Sequence, residues 1–289
     1  MLLRLVIALS ALAVLHFLPR LRDHLGTAWL KRWARLTADT SGAGRIALLL
    51  AVPLAVCLLV AVLLGAAPGG TLWFALWALA VLLWSFGTRD LDADLGAVLA
   101  AAGTPQRESA LQALGEDGET LRWQASALAA PVALAALRRR FGVLAWFFLL
   151  GPLGALAYRL IQTLARDRSL ALDAGSRRGL RFLRNGADWL PAQLLTFTLA
   201  IVGDWDAVLA AWRDWQRRTV IRSWYAEPPG FLAAAAGSGT LFNIDAGDGY
   251  AEESSDPVAE LERLQRLLQR ALVAWLGVLL LIAFGGWIG

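Results

Sequence analysis

Residues Gly151-Pro152-Leu153-Gly154-Ala155-Leu156-Ala157-Tyr158-Arg159-Leu160 lie inside an apolar run from Phe141 to Leu164. Proline removes a backbone donor and glycine weakens a helix. At membrane depth the freed backbone groups need protein partners or a wet cavity. An arginine in such a segment is costly in lipid and marks a candidate functional site. A second apolar run, Trp189 to Val202, opens on Asp188 and contains Pro191. The two broken segments make this an all-α integral membrane protein with structure inside the bilayer.

Composition agrees. The chain has 289 residues, 58% of them hydrophobic and 17% charged. Its mean hydropathy is +0.55. A soluble domain carries about 25% charged residues. The single cysteine, Cys57, permits no intrachain disulfide and no cysteine metal site. His16 and His24 would need carboxylate ligands from elsewhere to hold a metal, and read as interfacial or partner-bonded histidines. The net charge of +4 fits basic cytoplasmic loops, and the lipid bilayer is the first partner. No nucleic-acid-binding motif is present, so no nucleic acid is expected.

The chain divides into five regions. Residues 1–87 form a membrane region with three spans: Leu5–Leu18, Ile46–Ala67 and Leu72–Phe86. Residues 88–140 form a small cytoplasmic helical lobe ending in Arg138-Arg139-Arg140. Residues 141–203 hold the broken intramembrane segments and a basic linker, 165–188, with six arginines and two aspartates between Arg166 and Arg184. Residues 204–257 hold an amphipathic Trp/Arg helix and a loop rich in Gly, Pro and acids. Residues 258–289 form a long C-terminal helix whose end is the last span. Four to six hydrophobic helical segments result. The hairpin tip at Pro68-Gly69-Gly70 is uncharged while Arg45 and Arg89 flank its ends, which places the tip outside. Whether 141–164 and 189–202 cross or re-enter stays open: crossing by 141–164 would put the arginine-rich linker outside.

No catalytic triad, P-loop or dinucleotide fingerprint is present. Gly237 and Gly239 read either as a flexible loop or as a small phosphate cradle. Asp90 and Asp94 fall on one helix face; they read as a helix N-terminal turn or, more weakly, as cation ligands. Arg159 beside Tyr158 could hold an anionic ligand, because its planar fork suits carboxylate or phosphate. It could equally pair with Asp188 and tie the broken segments together.

Gly151-Pro152-Leu153-Gly154 with Tyr158-Arg159, followed by Asp188-Trp189-Leu190-Pro191-Ala192, resembles the membrane superfamily of the CobD and AmpE proteins. Phe17-Leu18-Pro19-Arg20-Leu21, Arg89-Asp90-Leu91 and the run at Gly237 follow in the same order. CobD-type proteins are ATP-using amide-forming enzymes rich in site acids. Here the first acidic stretch is Ala136-Leu137-Arg138-Arg139-Arg140-Phe141. Gln162 and Ala165 stand at the Asn and Asp positions of the second motif. In the third motif Arg184 and Asn185 replace two acids, Asp188 an Asn and Gln193 an Arg. Loss of these oxygens removes the means of holding Mg-nucleotide. The resemblance therefore implies the AmpE branch: a non-catalytic inner-membrane signalling modulator or sensory transducer, associated with β-lactamase induction and cell-wall stress. It implies no cofactor, an anionic small-molecule ligand lined by Tyr158, Arg159 and Asp188, and a regulatory protein partner. The alternative is a CobD-like membrane ligase using Mg-ATP.

Overall fold

The computed structural model describes residues 1–115, 121–170, 172–219, 227–245 and 256–288. In chain order the helices are α1 (Leu2–Phe17), α2 (Ala28–Leu36), α3 (Gly42–Ala66), α4 (Gly70–Phe86), α5 (Leu91–Leu99), α6 (Thr104–Leu114), α7 (Ala125–Ala136), α8 (Gly142–Leu150), α9 (Pro152–Arg166), α10 (Ala174–Val202), α11 (Trp205–Arg218), α12 (Gly230–Asp245) and α13 (Pro257–Ile288). A 3-10 segment, Pro19–His24, precedes α2, and a π-helical turn, Leu137–Phe141, joins α7 to α8. No strand occurs among the described residues.

Three helical stretches, Gly42–Ala66, Gly70–Leu99 and Pro257–Gly285, are long and apolar enough to cross a membrane. The chain is an all-α membrane protein. Only 11% of the apolar window of α3 is buried by protein. Val56, Leu59 and Leu63 stand exposed on it, an apolar surface far too continuous for water to wet. The N-terminal run does not make a straight span: α1 bends by 102° into Pro19–Leu36. With 16 residues, α1 alone falls short of the about 20 a crossing helix needs.

The chain forms two compact units. The first comprises Met1–Arg89, Gly142–Ala187 and Val278–Gly289; the second comprises Asp90–Phe141 and Asp188–Gly277. The core of the first is built on Leu30, Leu49, Leu160 and Leu180. That of the second is built on Leu95, Leu128, Phe141, Leu199, Leu232 and Leu264.

Two expectations are corrected. The arginine-rich stretch before Asp188 is not a linker from 165 to 188, and Pro191 does not open a new segment. Helix α10 runs unbroken from Ala174 to Val202 with Pro191 inside it. A proline inside a helix orphans the carbonyl four residues before it, here Ala187. The indole Nε1 of Trp146 donates to that carbonyl at 3.0 Å, which satisfies the lost bond. Residues 227–256 are likewise not mainly loop: α12 occupies Gly230–Asp245, and Gly237 and Gly239 lie within it. Trp224 and the acids Asp248, Glu252 and Glu253 lie outside the described residues.

Helix α11 begins where the side chain of Asp204 accepts from the Ala207 N–H at 3.0 Å, a standard N-cap. Its apolar face packs on protein: Val208 is buried, and the Trp215 ring meets Phe231 edge-on at 5.6 Å. Gly230 makes this possible, because a Cβ there would lie 2.7 Å from Trp215 Nε1.

Candidate functional site

The Gly-Pro-x-Gly break is a helix junction. Gly151 has φ +71° and ψ −155°, a region essentially reserved for glycine, and Pro152 takes the first position of α9, where no donor is missed. The carbonyls left at the end of α8 are met by Arg4 of α1, whose Nη1 donates to Phe148 O at 2.6 Å and Leu149 O at 3.2 Å. Gly154 brings the two helices together: a Cβ there would sit 2.3 Å from the Trp146 carbonyl oxygen. The break therefore sets a close α8–α9 pair and fixes the azimuth of α9.

That azimuth points Tyr158 and Arg159 at two other glycines. Tyr158 is 1% exposed, with its hydroxyl over Gly142, where a Cβ would lie 2.3 Å from it. The Arg159 guanidinium lies over Gly87, where a Cβ would meet Nη2 at 2.2 Å. Gly87 has φ +76° and ψ −170° and ends α4. Neither glycine stood out in the sequence, because each is defined by a side chain far along the chain. Tyr158 and Arg159 belong to the first unit, and Asp188 opens the second.

Within the second unit the candidate acids meet arginines. Arg138 Nε donates to the fully buried Asp188 at 2.7 Å. Arg139 Nη1 donates to Asp94 at 2.6 Å. Arg140 Nη2 donates to Asp92 at 2.7 Å and to Asp90 at 3.4 Å. All three arginines come from the π-helical turn, Leu137–Phe141. Such turns occur often at functional positions. Asp90, Asp92 and Asp94 recur at every second residue around the N-terminus of α5, where carboxylates also complement the helix dipole. No group of three or more His, Cys, Asp or Glu side chains suited to a metal occurs among the described residues.

Gly239 serves packing, while a Cβ on Gly237 would make only an ordinary contact, 3.5 Å from the Ala129 Cβ. The N–H groups of both glycines belong to the helix and are not gathered into a phosphate cradle. A Cβ on Gly239 would lie 2.8 Å from Arg263 Nη1. Arg263 of α13 uses that space to donate to Ala236 O at 2.7 Å while pairing with buried Glu260 at 2.6 Å.

The arginine–aspartate pairing was the feature missed in the sequence. Both clusters were visible, and their complementary charge was the signal. No family model, curated protein or solved structure matches this chain.

Proposed function

We propose that this chain is a non-catalytic regulatory protein of the bacterial inner membrane, a signalling modulator of the AmpE kind acting in β-lactamase induction under cell-wall stress. One observation carries the reading. The acids nearest the resembling motifs, Asp90, Asp92, Asp94 and Asp188, face the guanidiniums of Arg138, Arg139 and Arg140. A Mg-nucleotide site needs such oxygens turned toward the cation. Here they are turned toward three fixed positive charges, an arrangement that suits a two-state clamp better than a ligase centre. In this reading an anionic ligand, such as a cell-wall fragment, engages Arg159 beside Tyr158, and the cytoplasmic helices pass the change to a regulatory protein partner.

Two measurements test this. In the native bacterium, Arg159→Gln should abolish β-lactamase induction by a sub-inhibitory β-lactam while the protein's amount in the membrane stays constant. Unchanged induction after deleting the whole gene overturns the regulatory role. Separately, purified protein in detergent should show no rise in melting temperature with Mg-ATP. A clear rise would establish nucleotide binding to the native state and return the ligase reading.

A further inference from the structure

Helices α2, α3 and α4 enclose an apolar groove of about 660 Å³ in the first unit. That is within the roughly 300–1,000 Å³ of small-ligand sites. One wall is a stripe of α3, Val52, Val56 and Val60, spaced one helical turn apart and spanning about 12 Å along the axis. The facing wall is Trp77 and Trp84 of α4. The groove thus runs lengthwise along a hairpin whose outer face is apolar and exposed, and Val56 is 55% exposed.

One end of the groove differs from the other. There α2 lies across it with Trp29, Arg32 and Trp33. The Trp29 and Trp84 rings approach to 5.5 Å, and Trp84 Nε1 donates to Gly26 O at 3.4 Å. Tryptophans with basic residues on a short amphipathic helix mark the membrane–water boundary. Lys31 is engaged by Asp167 at 3.4 Å, whereas Arg32 is exposed and meets no carboxylate among the described residues. The groove therefore has a long apolar body and one cationic mouth, placed at the end of the hairpin that carries Arg45 and Arg89.

We infer that this groove holds one chain of an anionic bilayer phospholipid, with the headgroup phosphate on Arg32 and the acyl chain along the α3 valine stripe between the α4 tryptophans. The occupant follows from polarity. A zwitterionic lipid offers Arg32 a phosphate already offset by its own ammonium, and a soluble anion leaves the apolar body empty. This site is separate from Tyr158 and Arg159 and does not depend on the regulatory reading.

The test uses the full chain in nanodiscs and native mass spectrometry after detergent release, counting retained lipid. Wild-type protein should retain phosphatidylglycerol about fivefold better than phosphatidylcholine, the discrimination one arginine near a lipid surface supplies. Arg32→Gln should bring the two lipids to parity. Val56→Trp fills the groove from an exposed wall position, so it should leave the melting temperature unchanged while reducing retention of both lipids. Glycerol 3-phosphate at millimolar concentration should displace neither. Equal retention of the two lipids by the wild type overturns the anionic headgroup. Unchanged retention in Val56→Trp overturns the groove as the site, and displacement by glycerol 3-phosphate overturns the role of the chain.

Discussion

Replacing Gly154 by alanine tests whether the break exists to bring α8 and α9 together. An added Cβ would lie 2.3 Å from the Trp146 carbonyl oxygen and 2.7 Å from the Leu150 Cβ. Contact distances between non-bonded heavy atoms are about 3.5 Å, so α9 must retreat by about 1 Å. The obstruction is backbone, not the tip of a flexible side chain, and no rotamer change relieves it. Overpacking of this kind costs about 1–3 kcal/mol. Gly151→Ala is the matched comparison. Its nearest neighbour would be Arg4 Nη2 at 3.7 Å, so the space is open, but its φ is +71°. That substitution carries about 1–3 kcal/mol of backbone strain without a clash. Both should lower stability in a detergent-based equilibrium unfolding assay. They should differ in what moves: Gly154→Ala shifts α9 and with it Tyr158, so the intrinsic solvent protection of the Tyr158 ring falls. Gly151→Ala leaves that protection in place. If Gly154→Ala unfolds within about 0.5 kcal/mol of wild type, the surface-like range, the two helices do not sit in this contact and the reading of the motif fails.

Trp146→Phe should cost about 1–3 kcal/mol, since it leaves the Ala187 carbonyl without its donor. Pro191→Ala restores a backbone N–H for that carbonyl, so the double variant should recover most of the loss; additivity of the two in unfolding would contradict the bond's assigned role. Gly142→Ala should displace the Tyr158 hydroxyl, which a Cβ would approach to 2.3 Å, and lower the melting temperature; an unchanged melt would mean the ring is not seated there. Asp173, at the start of α10, has its carboxyl held down to about 2, first by the Ser176 hydroxyl, then by the Ser176 N–H, with the Gly42 N–H adding to it. Its ordinary value is about 3.9, so its stabilisation is complete above that pH and is lost as pH falls toward about 2. Between those limits the wild type should lose more stability than Asp173→Asn, and parallel acid curves would refute the cap.

The membrane-crossing helices were legible because their evidence is local. Residues 46–66 hold no charge, and nothing downstream can make such a run soluble. The long helix from Pro257 was legible for the same reason, its amphipathic first part leading directly into an apolar end. The continuity of α10 was not legible, because it depends on Trp146, 41 residues before Ala187. A proline reads as a break until the donor that replaces its missing hydrogen bond is known. Gly237 and Gly239 misled in the same way. Two glycines after four alanines look flexible, and only Arg263 on another helix shows what the space at Gly239 is for. At the candidate site the residue types were readable, but their partners were not. Asp188 and Arg159 each carried two readings, and the pairing of Asp188 with Arg138 depends on packing in the second unit.

The arginine run sits in the π-helical turn and meets acids on two elements. Consecutive helical side chains point in different directions, so the three arginines do not converge on one carboxylate. They fan out and need carboxylates from several directions. The fold supplies them: Asp188 at the start of the second unit's share of α10, Asp94 one turn into α5, and Asp90 with Asp92 at its beginning. Arg138 is 11% exposed and its partner Asp188 fully buried, so removing one member of that pair costs about 3–5 kcal/mol, while the partly exposed Asp90 and Asp92 contribute less. Replacing such pairs with apolar residues of similar size is often neutral or stabilising, and stability alone therefore does not account for an array of this size. What distinguishes it is register. Four pairs formed together by three arginines hold α5, α10 and the turn in one arrangement, and a one-residue slip of the turn would misplace all of them at once. A single carboxylate change such as Asp94→Asn weakens one pair while leaving the register intact, whereas a change in the turn length breaks every pair. An element with that all-or-none character has two discrete arrangements, paired and unpaired, with little between them.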